Sequence, residues 1–353
     1  MTHTEFFMFI NRITKSETTP TVLFKRPLFV TMSAVILASM SMAGCSPTQD
    51  DTKKENKTAD AASNVATNDA VAVTNIDVDT TKGKVSLPIN PSPVVVYDMT
   101  LMQDLAALDV AVDGMPSGLK LDNLQAKNQP DPKTVGTVFE PDLEALNAMQ
   151  PQAILVGSRM AKKYDALSNI APTLDMTIDT ANIYESSKQR LHDLGALFGK
   201  SDQALKLQQD IDGLIDETKT ATKNKGNGLV VMVNGNKLSV YGEKSRYGFI
   251  HNVVGVPMAD NQIKDADHGQ PVSFEYLQKT NPDWLFVIDR SAAIGEDSVG
   301  AKAVLDNPLV AQTTAWKKNQ VVYLSPDSYL AFGGYYQWIK DLTTIKTAFN
   351  EAK

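Results

Sequence analysis

The sequence predicts an α/β fold: two Rossmann-like lobes joined by one long rigid helix, with a ligand cleft between the lobes. Three observations lead there. A segment occurs twice, as PDLEALNAMQPQAILVGSR at residues 141–159 and VSFEYLQKTNPDWLFVIDR at 272–290, each ending in arginine. Strand-like and helix-like runs alternate on both sides of residue 200. Between the copies lies DQALKLQQDIDGLIDETKTAT, a long, strongly charged run with apolar residues at Leu205, Leu207, Ile211, Leu214 and Ile215.

Aligned without gaps, Glu144 meets Glu275, Leu146 meets Leu277, Pro151 meets Pro282 and Arg159 meets Arg290. Asp142 and Ser273 stand at N-cap positions, so each glutamate falls in the first turn of a short helix. The residue before a proline is pushed out of the helical region, which reverses the chain at Gln150 and Asn281. The apolar runs 153–156 and 284–288 then return as buried strands. Helix down and strand back bring glutamate and arginine to the carboxyl-terminal strand edge, where open α/β sheets bind ligands.

The remaining elements follow in chain order. Lys25-Arg26, an apolar run at 28–42 and small residues up to Cys45, the sole cysteine, form a signal region over residues 1–45. The pattern looks like a bacterial lipoprotein signal, with cleavage before Cys45 and lipid on its sulfur; the bland alternative is a buried thiol. Residues 46–69 lack aromatics and form a disordered tether. No later stretch is long and apolar enough to cross a membrane. The chain carries 34 basic and 41 acidic side chains, and cleavage removes Arg12, Lys15, Lys25, Arg26, Glu5 and Glu17, leaving a mature net charge of −9. That balance argues against nucleic acid or an anionic membrane surface as partner.

Alternation around residues 79–83 predicts a hairpin; 94–98 is a buried strand, 100–108 a helix, and Thr173 marks a further short strand. Together 70–200 make the first lobe. Helices follow at 182–198 and 202–222, the second serving as the connector (201–225) and spanning about 30 Å. The second lobe (226–353) opens with LVVMV and KLSVY as a hairpin. A helix at 247–254, a polar loop at 260–270, the second copy, the strand 321–324, the loop SPDSYLAFGG and a helix at 335–352 complete it.

Arg159 and Arg290 end equivalent strands, which points to a cleft role; taken singly, Arg159 is a solvated surface arginine and Arg290 a salt bridge to Asp289. Arg246, in GEKSRYG just before a helix, either meets an anion or is solvated. Lys162 and Lys163 are exposed charges, with Lys162 able to reach the cleft. Of four histidines, His192 and His251 fit structural positions. Spacing alone makes His268 a solvent-exposed histidine and Tyr329 a packed tyrosine, although both lie at the ligand edge and both donors suit iron. No G-x-S-x-G or H-E-x-x-H occurs. Residues 195–201 (GALFGKS) are one residue short of a P-loop and follow a helix, so Gly199 is a helix cap and Ser201 the next N-cap. The chain is therefore not expected to be an enzyme.

The lipobox, GTVFEPDLEAL, SVYGEKSRYGFIHNVVG, PVSFEYLQKTNPDWLFVIDR and VVYLSPDSYLAFGG resemble the helical-backbone (class III) periplasmic iron–siderophore-binding lipoproteins of ABC importers. The resemblance covers residues 70–353 and is closest to the catecholate-binding branch. It implies that Arg159, Arg246 and Arg290, with Lys162 nearby, contact anionic catecholate oxygens. It also implies that His268 and Tyr329 complete the iron shell around a tetradentate chelator, and that Glu144 and Glu275 dock on permease arginines. Ferric iron would then arrive as a siderophore complex, with no intrinsic cofactor, to a monomer tethered through Cys45. Two alternatives stay open: haem or corrinoid binding on the same fold, and a surface adhesin or hydrolase lipoprotein.

Overall fold

The computed structural model describes residues 74–118, 131–264, 266 and 268–352; the signal region, Cys45 and the tether lie outside them. The first lobe opens with the expected hairpin, β1 (Asn75–Thr80) against β2 (Gly83–Pro88). Then come β3 (Val94–Val96), α1 (Met99–Ala107), β4 (Gly114–Met115), β5 (Lys133–Thr134), α2 (Leu143–Met149), β6 (Ala153–Val156), α3 (Tyr164–Ser168) and β7 (Thr173–Asp175). The sheet order is β5-β4-β3-β6-β7, and every pairing is parallel. β3 and β6 are buried at every residue, as a parallel sheet covered on both faces requires. β4 and β5 were not expected from the sequence.

Two helices leave this lobe, α4 (Ile183–Leu197) and α5 (Ser201–Thr222). Gly199 turns the chain between them at φ 64°. Ser201 is the first residue of α5 rather than its N-cap; Lys200 holds that position without a side-chain bond. α5 buries Ala204, Gln208, Ile211, Ile215, Thr218 and Thr222, a stripe at three- and four-residue spacing. Ala204 packs with Leu194 and Phe198 in the core of the first lobe. Ile211 and Ile215 pack with Trp338 and Leu342 in the core of the second. One rod thus enters both cores. Leu205 is an exception to the expected apolar stripe: it is 59% exposed.

The second lobe comprises β8 (Gly228–Asn234), β9 (Lys237–Tyr241), α6 (Phe249–Asn252), β10 (Gln270–Val272), α7 (Phe274–Thr280), β11 (Trp284–Asp289), α8 (Arg290–Ile294), α9 (Ala301–Leu305), α10 (Thr314–Lys317), β12 (Val321–Tyr323), α11 (Asp327–Leu330) and α12 (Tyr335–Glu351). Its sheet runs β10-β9-β8-β11-β12, with β9 antiparallel to both neighbours. α12 closes one face by stacking Phe349 on Trp284, with centroids 3.7 Å apart.

Both repeat copies fold as helix, reversal and strand. Gln150 and Asn281 adopt left-handed φ values of 51° and 47° before their prolines. Asp142 caps α2 by accepting from the Ala145 amide at 2.9 Å. Ser273 takes the equivalent position without capping α7; its hydroxyl instead donates to the Glu275 carboxylate, which holds that group below its usual range.

The lobes meet directly as well as through α5. α12 has Gly334 at its N-cap and no side-chain cap of its own. The first lobe supplies one: Asp104 accepts from the Tyr335 amide at 2.8 Å, and Gln103 from the Gln337 amide at 3.0 Å. These bonds satisfy donors that a helix start otherwise leaves open. No helix among the described residues is long and apolar enough to cross a membrane.

Candidate ligand cleft

Three hollows adjoin around Tyr329. One, of about 720 Å³, includes Asn234, His268, Arg290 and Tyr329 in its wall. A second, of about 680 Å³, is bounded by Phe139, Arg159, Arg290, Ile294 and Tyr329. A third, of about 470 Å³, is bounded by Arg159, Arg190, Arg246, His268, Tyr329 and Phe332. Both lobes contribute to the last two. The structure therefore gathers Arg159, Arg246, Arg290 and His268 in the walls of hollows that all share Tyr329.

Arg159 follows β6 by three residues and reaches across to α11, where its guanidinium donates to the carbonyls of Leu330 (3.3 Å) and Tyr329 (3.4 Å). Arg290 begins α8 and is 30% exposed. Its Nε donates to the Tyr329 hydroxyl and its Nη1 to the Asn234 side-chain oxygen, both at 3.1 Å. Glu296 stands 4.0 Å from the same Nη1. Asp289 is not its partner: that carboxylate accepts from the amides of Ala292 and Ala301 and so pins the turn after β11. Arg246 lies over the rings of Phe332 (4.8 Å) and Tyr329 (5.7 Å). The helix after it is only the four residues of α6, shorter than the sequence predicts.

His268 is exposed on the loop before β10, in the wall of two of the hollows. Tyr329 is half-buried, with its oxygen at Arg290. Lys162 is exposed on a 3₁₀ turn and lines none of the three hollows; Lys163 pairs with Glu140 at 2.7 Å. Glu144 and Glu275 are exposed in the first turns of α2 and α7. His192 is exposed beside Asp193, whereas His251 is half-buried, its Nδ1 2.8 Å from the Val256 carbonyl. Burial lowers the His251 pKa. Among the described residues, no group of three or more His, Cys, Asp or Glu side chains could hold a bare metal ion.

One cleft residue escaped the sequence reading. Arg190 is buried and pairs with Asp104 at 2.7 Å, donates to the Thr100 hydroxyl at 2.9 Å and to the Gly333 carbonyl at 3.0 Å. Burial pushes the Asp104 carboxyl up, while Arg190 pulls it down. The clue was available: Ile183, Ser187, Arg190, Leu194 and Leu197 share the buried face of α4, and an arginine in such a stripe needs a partner.

Comparison with known proteins bears on what this gap is for. The family described as periplasmic binding protein matches residues 94–328. The chain belongs to that family. Petrobactin-binding protein YclQ of Bacillus subtilis is 37% identical over 324 residues, covering 90% of this chain and 96% of its own. Ferric-anguibactin-binding protein FatB of Vibrio anguillarum is 31% identical over 315 residues, covering 87% of this chain and 93% of its own. The YclQ crystal structure superposes with a TM-score of 0.75, covering 79% of this chain and 99% of that one. The catecholate-siderophore-binding protein VctP of Vibrio cholerae gives a TM-score of 0.73 at 26% identity, covering 78% of this chain and all of its own.

Proposed function

We propose that this protein captures a ferric catecholate siderophore and delivers it to the permease of an ABC importer. The observation that carries the reading is the convergence of Arg159, Arg246 and Arg290 on one gap around Tyr329, in a relative of proteins named for petrobactin and ferric-anguibactin. A ferric catecholate presents negative charge on hard oxygens. Guanidinium forks give such oxygens short, directional, charge-assisted hydrogen bonds. The hydrogen-bond acceptors on two of the forks are neutral, main-chain carbonyls for Arg159 and Asn234 and Tyr329 for Arg290, with the Glu296 carboxylate 4.0 Å from Arg290. Chelate oxygens would exchange with these acceptors, and an anionic chelate would offset the cost of desolvating three cations together.

In this reading His268 and Tyr329 fill iron positions that a tetradentate chelator leaves open, and Lys162 contributes charge from the rim. The protein binds and hands over its cargo and carries out no chemistry. Glu144 and Glu275 dock the two lobes on permease arginines. Cys45 carries the lipid anchor, residues 46–69 stand the lobes off the bilayer, and the lobes divide at 70–200, 201–225 and 226–353 in a monomer. Tryptophan-quenching titration with ferric mono-, bis- and tris-catecholates should give submicromolar affinity for at least one, weakened about 100-fold by Arg290→Ala. Absence of saturable quenching with all three would sink the ligand class.

A further inference from the structure

α11 is a single turn of four residues, Asp327–Leu330; its N-cap Pro326 gives no side-chain bond, and the Ser325 hydroxyl accepts from the Asp327 amide at 3.2 Å. A turn this short does not hold itself, yet it must place the Tyr329 oxygen 3.1 Å from Arg290. The neighbouring side chain supplies the anchor. Ser328 is 1% exposed and donates to Asp341 at 2.7 Å. Gln337, also 1% exposed, donates to Ser328 at 2.8 Å and to Asp341 at 2.7 Å. The three close a ring beneath the turn, with both Asp341 bonds on a single carboxylate oxygen. Lys340 adds an outer clip to Asp327 at 3.4 Å. The Gln337 amide in turn donates to Gln103 of the first lobe.

We propose that Ser328, Gln337 and Asp341 are positioning residues that fix the direction of Tyr329 and thereby favour tetradentate over hexadentate ferric chelates. Successive side chains of a helical turn point about 100° apart, so anchoring Ser328 inward on α12 turns Tyr329 outward to the gap. A hexadentate chelate fills the iron shell unaided and needs no protein oxygen. A tetradentate chelate leaves positions whose occupation depends on where Tyr329 points. The proposal rests on the siderophore reading above and on Tyr329 as an iron ligand.

The test compares wild type with Ser328→Ala, Gln337→Met, Asp341→Asn and, as reference, Tyr329→Phe. Each is titrated with a ferric bis-catecholate and a ferric tris-catecholate, and the iron–tyrosinate resonance Raman bands of the bis-catecholate complex are recorded. The three ring variants should weaken bis-catecholate binding by about tenfold and diminish the tyrosinate bands, while tris-catecholate affinity stays within about twofold. Ser328→Ala removes a single hydroxyl and serves if a harsher change prevents folding. Equal loss for both chelates would mean that the ring only supports the fold, and unchanged affinities and bands would also overturn the proposal. If Tyr329→Phe itself changes neither bands nor affinity, the iron-ligand role falls and positioning falls with it. Failure of wild type to bind either chelate marks the siderophore reading itself as wrong.

Discussion

Asp341 sits in a fully enclosed site, and burial raises its carboxyl from the ordinary carboxylate value to about 7, against hydrogen bonds from Ser328 and Gln337 that pull it down. The folded state therefore holds this proton more tightly than the unfolded chain does. The unfolded chain releases it first as pH rises, so stability falls between about pH 4 and the raised value and levels off above it. Denaturant midpoints measured across that window should decline, and Asp341→Asn should flatten the decline by an amount on the order of a few kcal/mol. Asp104 is raised in the same sense, so a residual slope should persist in the variant; an unchanged slope would mean that Asp341 is ionised throughout. At this scale the sequence was partly legible. Arg159 and Arg290 stood out because a repeat paired them. His268 and Tyr329 did not, since a loop carries the one and a single helical turn the other, and only the folded chain brings the two together; the family resemblance named them instead. Arg190 was missed because a lone arginine within a helix looks solvated until its apolar face is counted.

The two repeat helices present their glutamates differently. Glu275 receives the Ser273 hydroxyl, whereas the equivalent Asp142 is a carboxylate that accepts from the Ala145 amide and has no proton to give Glu144. Both carboxylates nevertheless project from exposed first turns of equivalent elements. Replacing both with alanine should leave siderophore affinity unchanged and abolish uptake in cells expressing the importer; surviving uptake would refute docking through this pair. The repeat was legible as helix, reversal and strand because Asp142, Pro151, Ser273 and Pro282 punctuate it. β4 and β5 were not, because two residues cannot display a period. β10 was hidden where the polar loop meets the second copy, since an edge strand paired on one side needs no apolar alternation. α6 came out shorter than predicted because the turns flanking it, built on Ser245 and Gly248, take over the neighbouring amides.

At the scale of the whole molecule, α5 is rooted in both cores and α1 caps α12 across the lobe boundary. Arg190 adds a buried tie from α4 to Gly333. Three such links resist a wide hinge, so ligand binding should close the cleft only slightly. Small-angle scattering with and without a saturating ferric chelate should show the radius of gyration changing by less than about 1 Å; a shift of several ångströms would contradict a rigid connection. The sequence announced the rod through its long charged run. It gave no sign of the second and third links, whose partners are 143 residues or more apart in the chain. What the rigid frame holds open is the gap into which three guanidinium groups face. The decisive measurement is equilibrium titration of a ferric bis-catecholate into wild type and into a variant with Arg159→Gln, Arg246→Gln and Arg290→Gln together. Submicromolar binding in the first and a loss of at least about 1,000-fold in the second is the expected result. Equal affinity in the two proteins would contradict capture by these arginines.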